Sequence, residues 1–99
     1  MKSIIKGDSK GICYICGKHG RTELHHMLHG PYRKMADRNG LTVHLCWQCH
    51  RALHDRGDHD LELEQEAQRE FEAMYSHDLF MTIFQKSWLM EDNNVQDNM

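Results

Sequence analysis

The sequence predicts an α+β fold, in which two short strands and a short helix are stapled by a metal and followed by two further helices. Three observations predict it. Cys13-x-x-Cys16 and Cys46-x-x-Cys49 form two equal knuckles. Two short β-like runs, Thr22-Glu23-Leu24-His25-His26 and Leu41-Thr42-Val43-His44-Leu45, lie between them. Beyond them, Leu63, Ala67, Phe71, Met74 and Tyr75 recur at spacings of three and four, which marks one face of a helix.

The elements follow in chain order. Residues 1–11 lack periodicity, and Gly7-Asp8-Ser9-Lys10-Gly11 reads as a loop. The first knuckle leads into a polar turn at Gly17-Lys18-His19-Gly20 and then the first strand. His29-Gly30-Pro31 breaks that strand, and residues 32–40 read as a basic loop holding one helical turn. The second strand enters the second knuckle, and a short helix runs from His50 to Arg56, closed by Gly57. Asp60 is placed to cap the longer helix, and Ser76 or Asp78 to cap a last one carrying Leu79, Phe80, Ile83, Phe84 and Trp88. The 99 residues are expected to form one domain, with a core at 12–57, a helical extension at 60–89 and a disordered end at 90–99.

A core this small is commonly supplemented by a structural metal. The run Met1-Lys2-Ser3-Ile4-Ile5-Lys6-Gly7 has charge but no apolar segment, so it does not read as a secretory signal, and no apolar run is long enough to span a bilayer. The expected setting is a reducing cytoplasm, where paired cysteines hold metal. Net charge is −3, but it is unevenly spread. Residues 1–59 carry ten Lys and Arg against five Asp and Glu, and residues 60–99 carry two against ten. The half with the knuckles is therefore basic and open to a nucleic-acid partner, while the acidic half reads as a solvated helical face.

Four thiolates from Cys13, Cys16, Cys46 and Cys49 make a closed tetrahedral zinc site, structural in kind because no position is left for substrate. A redox Cys-x-x-Cys is the competing reading, but no βαβ pattern surrounds either pair. His50 and His54 stack on one helix face, and with His25 or His26 from the neighbouring strand they can converge on one ion with open positions. Taken alone, an i,i+4 histidine pair is weak, since a chain with nine histidines produces such pairs by accident. His25 and His26 leave an extended chain in different directions, which suits one as a ligand and the other as a proton acceptor. His44 is as readily a satisfied structural histidine as a ligand, and His29 has no evident place. His19, His59 and His77 read as surface residues.

Glu23-Leu24-His25-His26-Met27, the strand at 41–45 and Cys46-Trp47-Gln48-Cys49-His50-Arg51-Ala52-Leu53-His54 resemble the His-Asn-His (HNH) endonucleases. More narrowly, the chain is similar to small HNH-type proteins of bacteriophages and prophages of Gram-positive bacteria. Arg33-Lys34, Gly40 to Val43, Gln65 to Arg69 and Phe80 to Phe84 share in that likeness, which extends from Cys13 to Leu89. The resemblance implies a ββα-metal core in a bacterial host cytoplasm. It also implies His26 as general base and His25, His50 and His54 as ligands of a catalytic divalent cation (Mg2+, Mn2+, Ni2+ or Zn2+). The family's middle Asn falls at Leu41, leaving Asn39 or His44 as candidates to take its place.

The expectation is a metal-dependent nuclease acting on DNA, with Arg33, Lys34, Arg38, Arg51 and Arg56 as candidate phosphate contacts. For any one of these five, ordinary solubilising charge is an equal reading. Other phage recombination or packaging proteins are expected as further partners. The rival is a non-catalytic zinc module that binds nucleic acid or protein, and Leu41 is the feature that favours it.

Overall fold

The computed structural model describes residues 2–89. Two strands, β1 (Glu23–His26) and β2 (Thr42–Leu45), pair antiparallel with His25 opposite Val43 and His26 opposite Thr42. Between them lie a 3-10 turn, Gly30–Tyr32, and helix α1 (Arg33–Arg38). After β2 come α2 (Trp47–Arg56), α3 (Asp60–Met74) and α4 (His77–Phe84). Among the described residues the architecture is a small α+β assembly of four α-helices and a two-stranded sheet. Residues 90–99, expected to be disordered, lie outside the described residues.

The first knuckle is a tight turn tied to β2. Cys13 N–H donates to the Lys18 carbonyl, and Tyr14 N–H to the His44 carbonyl at 2.8 Å. The N-terminal segment, expected as loop, does structural work as well. Ile5 is buried, Ile4 N–H donates to the Gly40 carbonyl, and the Ser3 hydroxyl donates to the Thr42 carbonyl. Gly40 sits at φ +72°, and a Cβ there would collide with the Lys2 carbonyl oxygen, so the close approach requires glycine. Asp8, nearly fully buried, accepts from both the backbone N–H and the Nδ1 of His44. His44 is thus a structural histidine that pins the N-terminal loop to β2.

Helix α2 begins at Trp47, three residues before the expected start, because the second knuckle is its first turn. Cys46 is the extended N-cap, and His50 N–H donates to the Cys46 carbonyl at 2.9 Å. Its C-terminus is as expected: Gly57 is left-handed at φ +76°, and its N–H donates to the Leu53 carbonyl. The basic stretch is more helical than expected, since it folds as the 3-10 turn and α1.

Two features of the C-terminal half depart from expectation. Asp60 does not cap α3; His59 holds that position in a left-handed conformation, and the Asp60 carboxylate is turned to His29. Trp88 is not helical, because α4 ends at Phe84 and Gln85 is left-handed. Trp88 is brought back by the buried Gln68, whose Oε1 accepts from Trp88 N–H at 2.7 Å while its Nε2 donates to Ser87 and Glu72. The Ser76 hydroxyl caps α4 by accepting from Leu79 N–H.

Leu63, Ala67 and Phe71 of the helical stripe are buried, whereas Met74, Tyr75 and Leu79 are exposed. The last turn of α3 and the first of α4 overhang the core, so the stripe outruns the surface available to cover it. Phe71 is fully buried among Phe80, Phe84 and the Tyr75 ring. Phe71→Ala is expected to cost about 3–5 kcal/mol, read as a shift in the urea midpoint. A shift worth under about 1 kcal/mol would show that the extension does not share the core's cooperative unfolding.

Candidate functional site

The four cysteine sulfurs lie within 4.8 Å of one another and can hold one metal ion. Cys16 Sγ and Cys46 Sγ are 3.9 Å apart, far beyond a disulfide bond, and all four are free thiols. Bonds of about 2.3 Å to a tetrahedral zinc set sulfur pairs roughly 3.8 Å apart, so this edge fits the ion. Burial pushes the Cys13 thiol up, but the backbone around Cys16, Cys46 and Ile15 outweighs it and brings the group down to about 6. Burial raises Cys49 strongly, and the neighbouring sulfurs raise it further. One thiolate therefore forms readily and another is opposed by it, a combination that a bound cation relieves.

A second cluster is built from β1 and the turns of α2 that follow the second knuckle. His25, His50 and His54 offer ring nitrogens within 4.8 Å of one another. The strand's alternation turns His25 inward to 2 % exposure, while the i,i+4 spacing brings His50 Nε2 and His54 Nε2 to 3.1 Å. Bonds of about 2.0–2.1 Å to a tetrahedral cation would set nitrogen pairs roughly 3.3 Å apart, close to the 3.1 Å between His50 and His54. Glu23 holds His50 Nδ1 at 2.8 Å, which leaves Nε2 for the ion and is the usual way a carboxylate orients a ligating histidine.

His25 Nε2 decides how this cluster reads. It is buried and has no hydrogen-bond partner, an arrangement that costs stability unless something electrophilic meets the nitrogen. Burial, followed by the neighbouring imidazoles of His50, His29, His54 and His26, holds His25 down to about 3, so near neutral pH the ring is uncharged and its lone pair is free. A buried, neutral, unpartnered imidazole nitrogen among other imidazoles is a ready metal ligand.

Comparison with protein-family models, curated proteins and solved structures returns no match.

His26, next along β1, points to the other side of the strand, and its Nε2 meets Asp37 Oδ1 at 3.1 Å. With Nε2–H donated to this carboxylate, Nδ1 is the free acceptor. The two residues expected as candidates for the place of the Asn of HNH proteins have partners other than His26. Asn39 donates from its amide to the Met35 carbonyl, and His44 is bound by Asp8. Leu41 itself is fully buried in the core. The partner of His26 is Asp37 on α1, a residue the sequence reading did not single out.

His29 was also missed. It stands beside His25, with ring centroids 5.4 Å apart, and its Nε2 is held by Asp60 Oδ1 at 2.7 Å. His25, His29 and Asp60 can also converge on an ion, so the helical extension reaches the site directly. A histidine three residues beyond the His25-His26 pair was visible in the sequence, but its carboxylate partner lies 31 positions away.

The histidines line a cleft of about 300 Å³ with Leu24, Gly30 and Arg33. A neighbouring groove of about 570 Å³ shares His26, Gly30 and Arg33 and adds Lys34 and Asp37. The five candidate phosphate contacts are thus split between surfaces. Arg33 lines the cleft and the neighbouring groove, Lys34 lines the groove, and neither has an ion-pair partner among the described residues. Arg38 is exposed on α1 against Met35 Sδ. Arg51 and Arg56 line a different groove and are paired with Asp55 and Asp58. Among the described residues, no helix is long and apolar enough to cross a membrane.

Proposed function

We propose that the chain is a metal-dependent endonuclease of HNH type that hydrolyses phosphodiester bonds in DNA. In this reading the four cysteines hold a structural zinc, and His25, His50 and His54 hold an exchangeable divalent cation. The unpartnered Nε2 of buried His25, in a ring whose centroid lies 5.1 Å from that of His50 and 5.6 Å from that of His54, is the observation that carries it. The resemblance to phage and prophage HNH proteins points to the same chemistry and to a bacterial cytoplasmic setting.

Bound by three imidazoles, a divalent cation supplies Lewis-acid polarisation of the phosphate and offsets charge on the leaving oxygen. The chain's own residues do the rest. His26 accepts a proton at Nδ1 from the attacking water, and Asp37 fixes its tautomer and ring orientation through Nε2. Arg33 and Lys34, on the wall shared with His26, hold the phosphate backbone so that the scissile bond faces the histidines. His29, held by Asp60, closes the inner end of the cleft beside His25. Recombination or packaging proteins of the same phage would act on the same DNA.

The test combines metal analysis with plasmid cleavage across Mg2+, Mn2+, Ni2+ and Zn2+. The proposal expects one tightly held zinc per chain, a second exchangeable ion and cutting that depends on it. One zinc per chain, no second ion and no cleavage with any metal would sink it and favour the non-catalytic module, which buried Leu41 at the family's Asn position otherwise supports.

A further inference from the structure

Among the described residues, Trp47 in the first turn of α2 is the most exposed large apolar residue, at 55 %. A single exposed apolar side chain is ordinary, so what distinguishes Trp47 is the set of cations around it. Trp47 and Gln48 are shared by the linings of two grooves. One groove carries Lys18 and Arg21 from the turn after the first knuckle. The other carries Arg51, Arg56 and the carboxylate of Asp55 from α2. Lys18 and Arg21 have no ion-pair partner among the described residues. The pairs Arg51–Asp55 and Arg56–Asp58 are exposed, so phosphates can compete for the guanidinium groups.

An aromatic ring flanked on both sides by cations suits a polynucleotide strand: the base stacks on the ring and the backbone runs over the charges. In a duplex the bases are stacked on each other and their faces are covered, so the ring selects for unpaired bases. The charge distribution agrees, because the acidic residues are concentrated beyond position 59, on α3 and α4. Trp47 stands about one helical turn before His50, and its grooves share no lining residue with the histidine cleft.

We infer that Trp47 and its flanking cations form a binding platform for single-stranded nucleic acid, separate from the histidine cleft. One unpaired base stacks on the indole, with Lys18 and Arg21 holding the backbone on one side and Arg51 and Arg56 on the other. Binding at this platform is independent of whether the cleft cuts.

The experiment uses the full zinc-loaded chain carrying His26→Ala, so that no probe is consumed. Labelled single-stranded oligo-dT, oligo-U and a DNA duplex are titrated by fluorescence anisotropy, and intrinsic tryptophan emission is followed in parallel. The chain has two tryptophans, and Trp88 is buried, so quenching by a stacked base reports on Trp47. Single strands are expected to quench emission and to bind more tightly than the duplex, and the ratio of dT to U distinguishes DNA from RNA. Trp47→Ala should weaken single-strand binding roughly 5- to 150-fold, while Trp47→Phe, which keeps an aromatic face, retains most of it. Lys18→Glu with Arg21→Glu should weaken binding and flatten its salt dependence. Because those two side chains are exposed, this variant tests the platform even where Trp47→Ala fails to fold. The inference is overturned by single-strand affinity that is within twofold of the parent in both Trp47→Ala and the double charge variant. It is equally overturned by duplex that quenches and binds as well as single strands, or by no binding of either strand.

Discussion

His26→Ala is expected to lower the rate of DNA cleavage at least about a hundredfold while leaving metal content and DNA affinity close to those of the parent chain. The reason is geometric. His25 and His26 are adjacent on β1, so one side chain enters the core and the other leaves it. His25 is the inward one, with an unpartnered nitrogen beside His50 and His54, and His26 is held by Asp37 at the cleft wall. Removing His26 takes away proton abstraction and nothing that binds the ion. Asp37→Ala should give a smaller loss confined to kcat, because the base remains but its tautomer and orientation are no longer fixed. His25→Ala, His50→Ala and His54→Ala should each lose the exchangeable ion together with activity. The measurements are single-turnover cleavage of a plasmid and metal analysis after dialysis. Near wild-type cutting by His26→Ala across pH, with normal metal binding by His25→Ala, would mean that the two roles are exchanged or that the cleft is not catalytic.

Sequence spacing revealed local geometry well and partners distant in the chain poorly. The four cysteines and the His50–His54 pair could be read because knuckle and helix spacings dictate which side chains converge. The sheet could be read because β-like runs sit on either side of a breaker, and Gly57 and Ser76 end and start helices for local reasons. What escaped depends on tertiary approach. Asp37 reaches His26 only because α1 folds back over β1, and Asp60 reaches His29 only because α3 starts beside the cleft. An acidic residue at the head of a helix invites a capping assignment, and here the carboxylate serves another residue instead. Trp88 was assigned to the last helix because its apolar character continued the pattern, yet a buried glutamine amide on α3 returns it to the core as irregular chain. Periodicity reads a residue's face but not the point where the backbone leaves the helix.

Cys46→Ser is expected to abolish the cooperative melt and to remove the second, exchangeable metal as well as the first. Zinc in small metal-stapled domains contributes on the order of 10 kcal/mol or more to folding, comparable with the entire stability of an ordinary domain. The coupling to the second site follows from α2. Cys46 is the N-cap of that helix and Cys49 lies in its first turn, while His50 and His54 occupy the next positions. The first knuckle is in turn joined to β2 through Tyr14 N–H and the His44 carbonyl, and β2 pairs with the strand that carries His25. Without the ion, four sulfurs within 4.8 Å have no cation to hold them, and the start of α2 loses its anchor to the strands. Chelation of the parent chain should have the same effect as the substitution, and returning zinc should reverse it. His54→Ala provides the contrast: its ring is on the open face of the helix, so the exchangeable ion should be lost while the melt stays cooperative. Far-UV circular dichroism during heating, paired with metal analysis, separates the two. A zinc-free chain that keeps its cooperative melt and its helix signal would show that packing around Phe71, Leu45 and Val43 holds the fold without the metal.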